Sequence, residues 1–99
     1  MTEINATKTG NHITFSFKNH AQQDRVCTAV STLACTLAGA LQYNPEAVCV
    51  YQRLDPGDAK IEFIAQGIKA QEDAVVILIG LLALAYDYPD DVQVTQNIL

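Results

Sequence analysis

Twelve consecutive residues, Ala74 to Ala85 (AVVILIGLLALA), carry no charge and no polar side chain. They are too few to span a bilayer, which takes about 20 apolar residues, and charged residues flank them on both sides. The rest of the protein therefore has to bury this run. It reads as the middle of a long helix, QGIKAQEDAVVILIGLLALAYDYP, ending near Pro89. Because the helix is apolar nearly all round, one face can cover a sheet while the other meets a second helix or a second subunit. A homodimer is the natural expectation, with Val76, Ile79, Leu82 and Ala83 as candidate contacts.

The sheet is legible elsewhere. HITFSFK alternates Ile13, Phe15 and Phe17 with Thr14, Ser16 and Lys18, and TGN before it supplies a turn, so EINATKTGNHITFSFKN reads as a hairpin with a weaker first arm. Asp24 reads as the N-cap of a helix in which Val26, Val30, Leu33, Leu37 and Leu41 form one apolar stripe. That helix should stop near Pro45, which disfavours helical geometry at Asn44. AVCVYQRL and AKIEFIA flank a Pro56-Gly57 turn and make a second hairpin. DVQVTQ is a candidate last strand. The order ββαββα(β) predicts an α+β fold of two layers, an antiparallel or mixed sheet with two helices packed on it.

At 99 residues the chain is expected to be a single domain over 1–99. The net charge of −5 argues against non-specific nucleic-acid binding, which needs an excess of Lys and Arg. The opening MTEINATKTG is polar and carries Glu3, so it is no signal peptide, and no membrane association is expected. The three cysteines include no C-x-x-C pair. Cys27 and Cys35 lie two helical turns apart, about 12 Å, too far for a disulfide. They read as free thiols in a reducing compartment, which points to the cytoplasm. His12 and His20 sit at opposite ends of one strand, about 26 Å apart, and cannot share a metal ion. No cofactor is implied.

The remaining chemistry is concentrated in KNHAQQDRVCTAVS, Lys18 to Ser31. With Asp24 as N-cap, Cys27 falls in the first helical turn, where the helix dipole and free N–H groups favour thiolate over thiol. On a helical wheel it lies roughly 80° from the centre of the apolar stripe, at the border of the buried face. Ser31 is one turn further along the same side. His20 ends the preceding strand, and the short AQQ link turns the chain back, so its imidazole can reach Cys27 as a general base. Taken alone, the same residues also fit a small buried cysteine and a solvated loop histidine. Cys49, in the apolar VCV, is expected to be buried and unreactive.

Three pieces of the chain resemble the ribosomal-processing cysteine protease (Prp) family: His20-Ala21, the string DRVCTAVS from Asp24 to Ser31, and the ending LALAYDYPDDVQV. The resemblance covers nearly the whole chain, including element order. It implies a small dimeric cysteine peptidase that removes a short N-terminal extension from a large-subunit ribosomal protein, or, in phage and prophage relatives, processes a structural protein. It places the nucleophile at Cys27 and the base at His20, and gives Asp24 a capping or histidine-orienting role. The chain departs from the family at Asn19, where the family has glycine, at Arg25 and Thr28, and in a shorter loop between His20 and Asp24.

The sequence thus predicts a cysteine endopeptidase with a Cys27–His20 dyad, Asp24 and Ser31 as candidate supporting residues, and an oxyanion site made by backbone N–H groups at the start of the first helix. The rival readings are a non-catalytic binding or assembly protein on the same fold, and a structural dimer module with an inert Cys27.

Overall fold

Strict alternation makes the first hairpin. Thr2, Ile4 and Ala6 of β1 (Thr2–Thr9) and Ile13, Phe15 and Phe17 of β2 (His12–Lys18) are buried, while their neighbours face outward. The computed structural model describes residues 1–99 and shows β1 and β2 paired along their length, Glu3 opposite Lys18 and Thr9 opposite His12. The first arm is as regular as the second, eight residues long. Gly10, at φ 60°, makes the turn in the left-handed region.

α1 (Asp24–Gln42) follows, then β3 (Ala47–Asp55), β4 (Asp58–Ala65), α2 (Ile68–Asp87) and β5 (Val92–Gln96). The five strands form one sheet in the order β3-β4-β2-β1-β5. All pairs are antiparallel except β1–β5, so the sheet is mixed and the fold is the α+β arrangement read from the sequence.

One sheet face carries the core. Phe15, Phe63, Ile4, Ile13 and Ile61 are fully buried there beneath Val26, Val30, Leu37 and Leu41 of α1 and Ala74, Leu78 and Leu81 of α2. The predicted α1 stripe is seen except at Leu33, which is half-buried because it meets α2 instead of the sheet. Gly80 permits that approach: a Cβ there would stand 3.1 Å from Leu33 Cδ2. The opposite sheet face is uncovered and polar, with His12 bonded to Glu62 and Lys18 to Asp58.

Neither helix supplies its own N-terminal side-chain cap. The N-cap of α1 is Gln23, in extended geometry, so Asp24 is the first helical residue and not the cap expected from the sequence. An acid from a distant segment serves each helix start. Glu46 accepts from Lys69 N–H at the start of α2 (2.9 Å), and Asp91 accepts from Gln22 N–H (2.6 Å) and Gln23 N–H (3.1 Å) just before α1. At α2 the distant acid takes an amide that a local Ser, Thr or Asp would otherwise cap, whereas at α1 it takes the two amides just before the first helical residue.

β3 corrects another expectation. It is an edge strand, and Val48, Cys49, Val50, Tyr51 and Leu54 are exposed. Cys49 is therefore exposed, not buried: its strand is at the sheet edge, with β4 as its single neighbour. Cys35 is exposed as well, and all three cysteines are free. On α2, Val76, Ile79 and Ala83 are exposed and Leu82 is half-buried, leaving an apolar face uncovered. No helix is long and apolar enough to cross a membrane.

Candidate active site

A groove of about 690 Å³ opens between the first turns of α1, the end of β2 and the β3–β4 turn. His20, Cys27, Thr28, Ser31, Leu54 and Gly57 are among the residues that line it. Three of the four residues singled out in the sequence, His20, Cys27 and Ser31, thus face one space. Asp24 does not: it is exposed, makes no side-chain hydrogen bond and lies outside the groove wall.

His20 owes its place to the strand end and to the turn opposite. β2 finishes at Lys18, and Asn19 takes φ 70°. Asparagine is one of the few side chains that enters the left-handed region readily, so the residue standing where the resembled family has glycine keeps the same backbone option. Asn19 N–H donates to Gly57 O (2.9 Å), tying the strand end to the β3–β4 turn. The imidazole then lies against Gly57, where a Cβ would stand 2.5 Å from Nε2. Gly57 is itself at φ 71°, so glycine is required there for both space and backbone.

Asp58 anchors the turn from the other side. Its carboxylate accepts from Lys18 Nζ (2.6 Å) and Arg53 Nη2 (3.0 Å). The Lys18 hydrogen bond, with help from Arg53, holds the Asp58 carboxyl below its usual value of 3.8, against a smaller opposing effect of desolvation.

Cys27 is half-buried at the groove's inner wall, packed against the core. Its thiol donates to Ala21 O (3.2 Å), a bond that only the protonated sulfur can make. Nucleophilic attack therefore requires Sγ to give up this proton and turn from the carbonyl toward the groove. The Cys27 amide is not available as an oxyanion donor, because it and Val26 N–H both bond to Gln23 O (3.1 and 3.0 Å). Gln22 and Gln23 N–H, just before the helix, are taken by Asp91, while Asp24 and Arg25 N–H in its first turn have no protein partner. Thr28 and Ser31 line the groove with hydroxyls that have no protein partner, whereas Thr32 and Thr36 bond back to the carbonyls of Thr28 and Thr32.

Beyond Cys35 lies a second compartment between α1 and β3, lined by Ala38, Leu41, Cys49, Gln52 and Leu54 among others. The two compartments lie side by side along α1, with Cys35 and Leu54 lining both. No group of His, Cys, Asp and Glu side chains is arranged to hold a metal ion. The residues the sequence did not single out are Gly57, whose role depends on a histidine 37 positions away in the chain, and the buried Asp91.

No protein-family model matches this chain, and no curated protein does. Solved structures do resemble it. The ribosomal processing protease Prp from S. aureus, in complex with a covalently linked product peptide, superposes with a TM-score of 0.80 over 98% of this chain and 100% of that one, at 16% identity. The same S. aureus protease with a substrate peptide gives 0.79 at 15% identity, with the same coverage. SMU.848 from Streptococcus mutans gives 0.74 over 97% of this chain and 93% of its own, at 22% identity. The chain has the Prp fold, end to end.

Proposed function

We propose that this chain is a cysteine endopeptidase that trims a short N-terminal extension from a protein substrate, a large-subunit ribosomal protein or a phage structural protein. The observation that carries the reading is the shared groove: Cys27 and His20 line one open space, on a fold that in the S. aureus relative holds peptide. His20 takes the proton from Cys27 Sγ, and the sulfur attacks the scissile carbonyl. The S–C bond forms, the peptide C–N bond breaks, and His20 returns the proton to the leaving amine. Water then hydrolyses the thioester with His20 as base. Ser31, with Thr28, offers a hydroxyl to the bound peptide, and Asp24 begins the helix that carries Cys27.

A second reading, a binding or assembly protein that holds a peptide without cutting it, is favoured by one detail: the resting thiol is bonded to Ala21 O. Incubation with candidate substrates from the source genome, read by mass spectrometry of new N-termini, separates the two. Cleavage by the wild type that is lost in Cys27→Ser and His20→Ala supports the peptidase, and peptide capture without any new N-terminus supports the binding protein. The protein is also proposed to be a cytoplasmic homodimer joined through the exposed apolar face of α2 around Val76 and Ile79.

A further inference from the structure

Between His20 and α1 there are three residues, Ala21, Gln22 and Gln23, and on them depend both halves of the proposed dyad. Ala21 follows the histidine directly and offers its carbonyl to the Cys27 thiol. Gln23 is the N-cap, and its carbonyl takes the Cys27 amide. A link this short can still move if nothing holds it, and neither Gln22 nor Gln23 is buried.

Asp91 holds it. Its carboxylate spends Oδ1 on Gln22 N–H (2.6 Å) and Oδ2 on Gln23 N–H (3.1 Å), and apart from the Cys27 thiol on Ala21 O no other side chain bonds to the backbone of the link. The residue is 4% exposed, so the carboxylate has little water to fall back on if those amides leave. Its own backbone is pinned at both ends. Asp91 N–H donates to Tyr88 O (3.0 Å), and Asp91 O accepts from Thr2 N–H at the head of β1 (2.9 Å). A second contact joins the same two segments: the Arg25 guanidinium lies over the Tyr88 ring, 5.5 Å from its centroid. Asp91 lies behind the link and does not line the groove, so it cannot touch a substrate there.

We propose that Asp91 is a positioning residue for the Cys27–His20 pair, acting through the Gln22 and Gln23 amides; the proposal rests on the peptidase reading above. It does for the short link what a longer loop would otherwise do with contacts of its own. Two oxygens on two successive amides set the direction in which the chain leaves His20. They also set the height at which Ala21 O meets Cys27.

The test uses Asp91→Asn and Asp91→Ala in the full chain, with three readouts. The first is hydrogen exchange at the Gln22 and Gln23 amides, which should quicken on the order of tenfold or more in Asp91→Ala and less in Asp91→Asn, whose one amide oxygen still accepts. The second is a double-mutant cycle on Cys27 alkylation, with Cys35 and Cys49 in the same molecule as references. His20→Ala should slow Cys27 alkylation in the wild type, and that effect should shrink by a factor of about three or more once Asp91 is Ala. The third is cleavage, in which kcat should fall more than KM rises in Asp91→Ala, with partial rescue by Asn.

Unchanged exchange at Gln22 and Gln23, or a His20 effect that is the same with and without Asp91, overturns the proposal. Should Asp91→Ala fail to fold, the same comparison is made with Asp91→Asn, which preserves shape. If no substrate is cut even by the wild type, the peptidase reading fails, while exchange and alkylation still decide whether Asp91 positions the pair.

Discussion

The ring of His20 rests on Gly57 so closely that a single methyl group at 57 would meet Nε2 at 2.5 Å. Gly57→Ala must therefore displace the imidazole. A shift of about 1 Å in a catalytic group can cost on the order of a hundredfold in rate, and a loss of that size is expected in cleavage assays. Gly10→Ala is the matched control. It has a similar φ, 60° against 71°, and open space where the methyl would go. Both variants should lose about 1–2 kcal/mol of stability from the left-handed backbone, but Gly10→Ala should cut at the wild-type rate. Equal rates in the two variants would remove the Gly57 contact from the mechanism.

Asn19 holds φ 70° and anchors the strand end through its N–H to Gly57 O. Asn19→Gly should be close to neutral in urea denaturation. Asn19→Val should lose about 1–2 kcal/mol or more, because a branched side chain is poorly accommodated there. A neutral Asn19→Val would mean that this backbone is not left-handed in solution.

Leu37 is fully buried at the centre of the α1 stripe. Leu37→Ala should cost about 2–5 kcal/mol, read as a shift in denaturation midpoint with little change in slope.

Asp58 gives a pH dependence of known sign. Its folded carboxyl titrates below the usual 3.8, chiefly through the Lys18 hydrogen bond. Its contribution to stability is therefore complete above that value and is lost as pH falls from there through the lowered folded value. Stability measured across this acid range should decline less steeply in Asp58→Asn than in the wild type. Salt should narrow the gap, since the groups are exposed.

Val76 and Ile79 are 65% and 54% exposed on α2. If this face joins two copies, the wild type should be a dimer by light scattering at micromolar concentration, and Val76→Glu with Ile79→Glu should be a monomer of unchanged fold. A wild-type monomer would remove the dimer.

What could be read from the sequence was local. The period of two in HITFSFK, the period of 3.6 through Val26, Val30, Leu37 and Leu41, and the Pro56-Gly57 turn each place their element within a few residues. The first arm of the opening hairpin looked weak because its inward residues include the small Thr2 and Ala6, which bury well but signal little. Cys49 was misplaced for the opposite reason: AVCVYQRL is apolar in composition, yet its strand is at the sheet edge, and strand order is a property of the whole fold. The helix caps could not be read at all. The Glu46 bond to Lys69 spans 23 positions and the Asp91 bond to Gln22 spans 69, and no local spacing marks such pairs. At the site, His20, Cys27 and Ser31 were found together, whereas the residues that hold them in register, Gly57 and Asp91, come from other parts of the chain.

The Asp91 strap also sets a timetable. Gln22 leaves the ribosome 69 residues ahead of the carboxylate that fixes it, a gap of roughly 3–14 s at ordinary elongation rates. Through that interval the segment carrying His20 and Cys27 exists without the two oxygens that hold its link. The parallel β1–β5 pairing, which seats Asp91, closes only after the last strand has emerged. On the peptidase reading proposed above, the Cys27–His20 pair is set in position only once Asp91 has emerged.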